Sequence, residues 1–423
     1  MMCALLLGVS SCGPFVGFHA KPLDAAASAA RLTDRSLDGR TWTLQTLTAE
    51  ALKHHPAIAV ARAKYDGAVA TVRTAGERPN PTVALSPQIV TPWTKWIAGT
   101  YGIDFDWTIE TAGKRAKRQV AAHAQVRAAA AYVIDVTWKV RSAVHKAFLE
   151  VYAAEQRTSL IHAAIAQQGE LLAAFDERVK AGAESRSATM QARLLQAQLR
   201  LQAAESAKLA VIARASLAEA LAMDLRGMQG ARFSFTAFES ANHSVPGKQK
   251  ALTHRADVLE ALAEYAAAEA ILRSEIAKQY PDIHLNPGYS FDTGENKWTL
   301  GIGLTLPVLN HNQGAVGEAE AKRKEAAAMF HAVQAKVLAE YDRAAASLTA
   351  AKAKLATTDA LLAEQAQQVA SEERLVQAGS DDRSALLSAE VERATTRIAR
   401  IDALAEIQAA ITELEAATQT PMP

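Results

Sequence analysis

The chain has 423 residues and a formal net charge of +1, which removes any bulk electrostatic case for nucleic acid as a partner. Apolar residues make up 49 % of it but aromatics only 6 %, and alanine carries much of the difference, a composition that suits long, closely packed helices rather than a thick globular core. The only cysteines are Cys3 and Cys12, so the body of the protein has no disulfide and no thiolate ligand.

In chain order, Ala4–Ser11 is a short apolar run ending in small residues and reads as the hydrophobic region of a signal peptide. Val9-Ser10-Ser11-Cys12 resembles a bacterial lipobox. Residues 1–12 are therefore expected to be a lipoprotein-type signal segment, with Cys12 as the lipidated first residue of the mature chain. A plain signal peptide cut elsewhere is the alternative. Ala20–Arg40 is small, polar and aperiodic, and residues 13–41 read as a linker. Beyond the N-terminus no membrane-spanning helix is predicted. A spanning β-barrel would escape that test, because its strands are short and alternate.

From Trp42 onward the chain repeats itself. Ala51-Leu52 with His54 aligns with Ala251-Leu252 with His254, and Pro81 with Pro281, at an offset of 200 residues. Gly113 aligns with Gly314 at 201, and Ala181-Gly182 with Ala378-Gly379 at 197. Landmarks in one order at nearly one offset indicate a duplicated unit. Its copies span 42–245 and 246–417, with 418–423 as a tail. Each copy reads as an opening helix (Leu44–Gly76, Lys250–Gln279) and a proline-bounded strand (Thr82–Val90, Asp282–Phe291). A short loop and a second strand follow (around Tyr101–Ile109 and Trp298–Leu306). An elbow then leads into a very long helix (Lys114–Ala181, Gly314–Ala378), and a tight turn sends another helix back (Ser187–Met223, Ser384–Ala417).

At 1.5 Å per residue the long helices span about 100 Å. In the second copy Tyr341, Leu348, Leu355, Leu362, Val369 and Val376 recur every seven residues, which implies a left-handed coiled coil. Val133, Val136, Val140, Val144, Phe148 and Val151 keep the 3–4 spacing of a helix core in the first. At the elbows, Gly113, Pro307 and Gly314 are the residues expected to turn strand into helix, with Pro307 ending the strand.

Each copy supplies two strands, and four strands cannot close a barrel. In a bilayer the two open edges would be forbidden, so several chains must pool strands, and three chains give 12. Leu300, Ile302, Leu304 and Leu306 alternate with Thr299, Gly301, Gly303 and Thr305, as on a strand facing lipid on one side. Trp93, Trp96, Trp107 and Trp298 fall at or near strand ends, where interfacial aromatics are favoured.

This order of elements, with Ala51-Leu52, His55-Pro56, Asn80-Pro81, Leu306-Pro307 and Asn312-Gln313-Gly314, resembles the TolC family of outer-membrane efflux proteins over nearly the whole chain. Ile109–Arg115 and the Asn-Gln-Gly elbow are most similar to its CzcC-type branch, associated with heavy-metal efflux. The resemblance implies a mainly α fold with a small β part. Antiparallel coiled-coil helices would form a periplasmic tunnel, and four strands per chain would join a 12-strand trimeric barrel in outer-membrane lipid. It implies a homotrimer, a periplasmic adaptor and an inner-membrane RND pump as partners. The chain itself would be a passive exit duct. It places adaptor docking at the turns around Gly182 and Gly379, and a gate at the periplasmic tip, where Glu184, Arg186, Asp381, Asp382 and Arg383 lie. Where familiar members carry gate carboxylates one or two turns past the second glycine, this chain has Ala385 and Ser388. Asp381 and Asp382 stand in the turn instead, as a charged mouth or as a helix-starting turn.

No nucleophile motif, His-x-x-x-His pair or Cys/His cluster occurs, so neither catalysis, a cofactor nor a metal ligand set is expected. The alternatives within transport are drug efflux and type I protein secretion. Outside it stands a non-conducting trimeric coiled-coil surface protein, against which the paired strands argue.

Overall fold

The protein is described by a computed structural model covering residues 19–89, 99–238, 247–292 and 294–421. Cys12, Trp93 and Trp96 lie outside the described residues, as does the loop expected at 91–96.

The stretch read as linker is partly structured. Asp24 caps a short helix, α1 (Ala25–Thr33), that buries no residue. Beyond it Leu37 is buried, and Arg35 donates to the Ala222 carbonyl at 3.1 Å. Strand β1 (Thr41–Trp42) then runs parallel to β4 (Arg232–Phe233). Two residues of parallel pairing have no sequence signature.

Each opening helix is two helices. In the first copy α2 (Leu44–His54) is followed by α3 (Pro56–Gly76). Proline is comfortable at a first helical position and forces the residue before it out of helical geometry. His55 accordingly has ψ 124°, and its Nδ1 accepts the Ala57 N–H at 3.2 Å. In the second copy α6 (Lys248–His254) and α7 (Ala256–Ala277) break at the same landmark with no proline, around an extended Arg255.

Strands β2 (Thr82–Ile89) and β3 (Gly99–Ile109) lead into α4 (Lys114–Lys180), and α5 (Arg186–Ala220) returns. Strands β5 (Ile283–Asp292) and β6 (Glu295–Leu304) lead into α8 (Gln313–Gln377), and α9 (Arg383–Thr418) returns. Helix α4 packs along its length on α3, α5, α7 and α9, while α8 packs on α7 and α9. Among the described residues no helix is long and apolar enough to cross a membrane.

The main core lies midway along the helices. Leu47, Phe148, Leu217, Leu221 and Phe238 are fully buried there, with Phe148 ringed by Phe233, Phe235 and Phe238 at 5.0–5.7 Å. The seven-residue stripe of α8 is buried or half-buried at every position from Tyr341 to Val376. Ala344 and Ala351 let Leu348 reach Ile407, Ile411 and Leu414 of α9.

Candidate functional site: sheet, elbows and tip

The four strands form one antiparallel sheet in the order β2-β3-β5-β6, so the hairpins of the two copies pair through β3 and β5. Strands of 8 to 11 residues match what a tilted spanning strand requires. The register sorts residues by chemistry. Leu85 pairs with Ile103, Ile103 with Tyr289, and Tyr289 with Trp298, while Trp107 pairs with Leu285 and Leu285 with Ile302. That face is apolar apart from Asn296 at the hairpin end, opposite Phe291, and it is bare: Trp298 is 80 % and Leu300 73 % exposed. Trp107 and Trp298 sit toward opposite ends of it.

The other face carries Ser86, Gln88, Asp104, Asp106, Thr108, His284, Asn286, Lys297 and Thr299. Ser86 Oγ donates to Asp104 at 3.1 Å, and His284 Nδ1 lies 3.0 Å from Asp106. Gly288 makes room for this layer, since a Cβ there would lie 2.5 Å from an Asp104 oxygen and 2.6 Å from Thr299 Oγ1. Strands β2 and β6 are the open edges.

Both long helices begin from a residue in left-handed conformation. In the first elbow Ala112 and Gly113 have φ 53° and 67°, and α4 starts at Lys114. Lys114 Nζ donates to Asp282 at 2.7 Å and to the Tyr280 carbonyl at 2.8 Å, and Thr111 N–H donates to Asp282 at 2.9 Å. Burial alone would raise the Asp282 carboxyl. The bonds from Lys114 and Thr111 outweigh it and hold that group below its ordinary range. Arg118 pairs with Glu110 beside it.

In the second elbow the left-handed residue is Asn312, φ 58°, whose Nδ2 donates to the Glu275 carbonyl at 2.9 Å. Gly314 is already inside α8. The structural counterpart of Gly113 is therefore Asn312, which corrects the Gly113–Gly314 alignment. Asparagine tolerates this conformation better than most residues. Pro307 does not end the strand either. The β5–β6 ladder stops at Leu304 opposite Ile283, where β5 begins, and Pro307 lies three residues beyond.

At the far end both turns are alike. Gly182 (φ 73°) and Gly379 (φ 70°) close Schellman caps: Gly182 N–H donates to Val179 and Ala183 N–H to Arg178, and Gly379 N–H donates to Val376 and Ser380 N–H to Leu375. Ser185 caps α5. Asp382 caps α9, accepting from Ser384 N–H at 3.1 Å. Arg178 bridges the two turns, meeting Asp382 and lying 3.6 Å from Glu184. Asp382 is thus tied to cap and arginine. Asp381, Arg186 and Arg383 are exposed, and Arg383 lies 3.8 Å from Glu170.

The outer membrane efflux protein family matches residues 47–223 and 248–419, one segment in each copy. The chain belongs to that family. The cobalt-zinc-cadmium resistance protein CzcC of Cupriavidus metallidurans is 30 % identical over 216 residues, 49 % of this chain and 50 % of that protein. In that match the chain spans about half the length of its curated relative. VceC of Vibrio cholerae superposes with a TM-score of 0.72 at 21 % identity, covering 89 % of this chain and 95 % of that one. The outer-membrane channel OprN superposes at 0.74 with 17 % identity, covering 96 % and 97 %. CusC superposes at 0.72 with 19 % identity, covering 89 % and 91 %. The fold of this outer-membrane efflux protein is TolC-like.

Sequence reasoning missed a charged network in the helical body of the efflux protein. Arg255, 5 % exposed, pairs with Asp257 at 2.6 Å and Glu340 at 2.8 Å and donates to the Ala417 carbonyl at 3.1 Å. Nearby, the buried Asp135 holds Lys139 at 2.5 Å. Burial, then the charges of Glu264 and Asp135, push Glu260 up to about 7. Asp257 is two residues from Arg255, but Glu340 and the Ala417 carbonyl come from distant stretches, so local spacing does not reveal the network. The alternation of Asp104 and Asp106 with Phe105 and Trp107 was a usable signal for the polar face.

Proposed function

We propose that this outer-membrane efflux protein is the exit duct of a tripartite system, a homotrimer whose three sheets close a 12-strand barrel above a helical tunnel. The observation that carries this is the four-strand sheet, apolar and bare on one face, polar on the other, open at both edges. An open edge cannot persist in lipid. Strand direction alternates across the sheet, so β6 of one copy meets β2 of the next antiparallel. The apolar face then meets lipid and the polar face lines the lumen. An adaptor docks at the Gly182 and Gly379 turns and an RND pump supplies the energy.

Heavy-metal cations are the substrate class best supported. The lumen face carries Asp104, Asp106, Asp292 and Glu295 against Lys297 and His284, and the match to CzcC points the same way. At the tip, three copies of the exposed Asp381 ring the mouth, while Asp382 serves the cap. Cys12 is the lipid anchor. From Cys12 to Arg35 the chain, with Ala25–Thr33 helical, reaches at most about 60 Å, against about 50 Å from the docking site of Arg35 up α4 to the elbow. Cys12→Ala should take up no labelled fatty acid. The substrate test is deletion followed by growth on zinc, cobalt, cadmium, copper and a drug panel. Sensitivity to divalent metals is expected. Sensitivity to drugs alone would replace this reading with drug efflux.

A further inference from the structure

The two elbows differ in length and chemistry. The first, residues 110–113, is polar and tied down by Lys114 and Arg118. The second, residues 305–312, is twice as long and carries Leu306, Val308 and Leu309, exposed by 65 %, 71 % and 94 %. The even-numbered apolar series of β6 (Trp298, Leu300, Ile302, Leu304) continues past the ladder's end through Leu306 and Val308. We propose that residues 306–309 are a wedge seated in the periplasmic leaflet of the outer membrane, a lipid contact outside the strands.

The loop's backbone suits that seat, because lipid punishes unsatisfied N–H groups. Pro307 has none, and Val308 N–H donates to the Leu306 carbonyl at 2.9 Å. Immediately afterwards the loop turns polar and caps itself with side chains. Asn312 N–H donates to Asn310 and His311 N–H to Gln313, at 2.8 and 2.9 Å. The change from apolar to polar marks the edge of the lipid. Tyr280, 59 % exposed beside this loop, is the interfacial aromatic expected at that depth. A second copy is the competing occupant. In a closed barrel the neighbouring element at this height is the end of α3, whose exposed residues there include Arg73, Thr74, Glu77 and Arg78, a charged rather than an apolar partner.

The proposal rests on the barrel reading, and the test separates the two. Leu309→Cys and Val308→Cys, with Leu300→Cys on the strand face and Ala350→Cys on α8, are each labelled with a nitroxide in the full chain in phospholipid vesicles, with unsubstituted protein as background. Relaxation by oxygen and by a water-soluble nickel chelate is then measured. The labels at 308 and 309 should retain oxygen accessibility and lose nickel accessibility, as at Leu300, while Ala350 shows the reverse. Nickel-accessible labels at 308 and 309 would overturn the wedge, and so would labels shielded from both probes, which would mean contact with a second copy. If Leu300 is also nickel-accessible, the barrel reading itself fails.

Discussion

The two copies reach the same geometry by different chemistry. At the break in the opening helix, the first copy uses Pro56, whose ring makes the residue before it extended. The second uses Arg255, extended because a buried guanidinium is held by Asp257, Glu340 and the Ala417 carbonyl. At the elbow the first copy uses glycine and the second asparagine. A backbone-restricting residue works alone, whereas a charged substitute works only through partners contributed by other helices. The second copy's break is therefore coupled to α8 and α9, and the first copy's break is not.

The largest effect should come from breaking that coupling. Arg255→Ala leaves two carboxylates and a carbonyl without their buried cation and should cost about 3–5 kcal/mol. Pro56→Ala should cost under about 1 kcal/mol. Thermal unfolding of the two variants in one detergent reads the contrast directly, and equal losses would erase it.

The elbows give the next test. Lys114→Met should cost about 1–3 kcal/mol, because it strips the buried side of Asp282 of its charged donor. Asp282 has a depressed folded value. Its contribution is present above the ordinary carboxylate range and is lost as pH falls through that range to the folded value. Melting temperature against pH in acid should flatten in Lys114→Met.

A smaller effect tests the corrected alignment of the elbows. Gly113→Ala forces a side chain into the left-handed region and should cost about 1–2 kcal/mol. Gly314→Ala, inside a helix, should be neutral or stabilise by up to about 1 kcal/mol. Denaturant midpoints compare them, and matched losses would restore the Gly113–Gly314 equivalence.

The smallest concerns Glu260. Its folded value, about 7, lies above the ordinary 4.5, so its stabilising share is intact below 4.5 and lost as pH rises through 7. Glu260→Gln should be steadier by about 1 kcal/mol above pH 7 once solvent screening is allowed for, read as a flatter melting curve between pH 5 and 7.

The long helices, turns and strands were legible because each has a local signature: a seven-residue stripe ending at Val376, an Ala-Gly turn in each copy, alternation through Leu300–Leu304. The elbow was read two residues late because glycine is the usual sign of a left-handed residue, and Asn312 reaches that conformation with help from Glu275, which lies 37 residues away. Pro307 drew attention from the cause of the strand's end, which is that its partner β5 stops at Ile283. The Arg255 network and β1–β4 pairing were not legible, since they join residues that only the folded chain brings together. At the tip, helix-starting Asp382 and exposed Asp381 look identical in sequence and separate only through the cap bond to Ser384 and the approach of Arg178.

The central claim is that three chains pool their strands, and covalent trapping across the open edges tests it most directly. Within one chain β2 and β6 are separated by two strands, roughly 14 Å, too far for a disulfide, which needs Cα atoms within about 7 Å. Cysteine pairs combining Val83 or Leu85 with Ile302 or Leu304 can therefore cross-link only between chains. Oxidation in the membrane should give, for at least one pair, a ladder that ends at a covalent trimer on a non-reducing gel. A ladder that stops at dimer, or monomer alone for every pair, would contradict the pooled barrel.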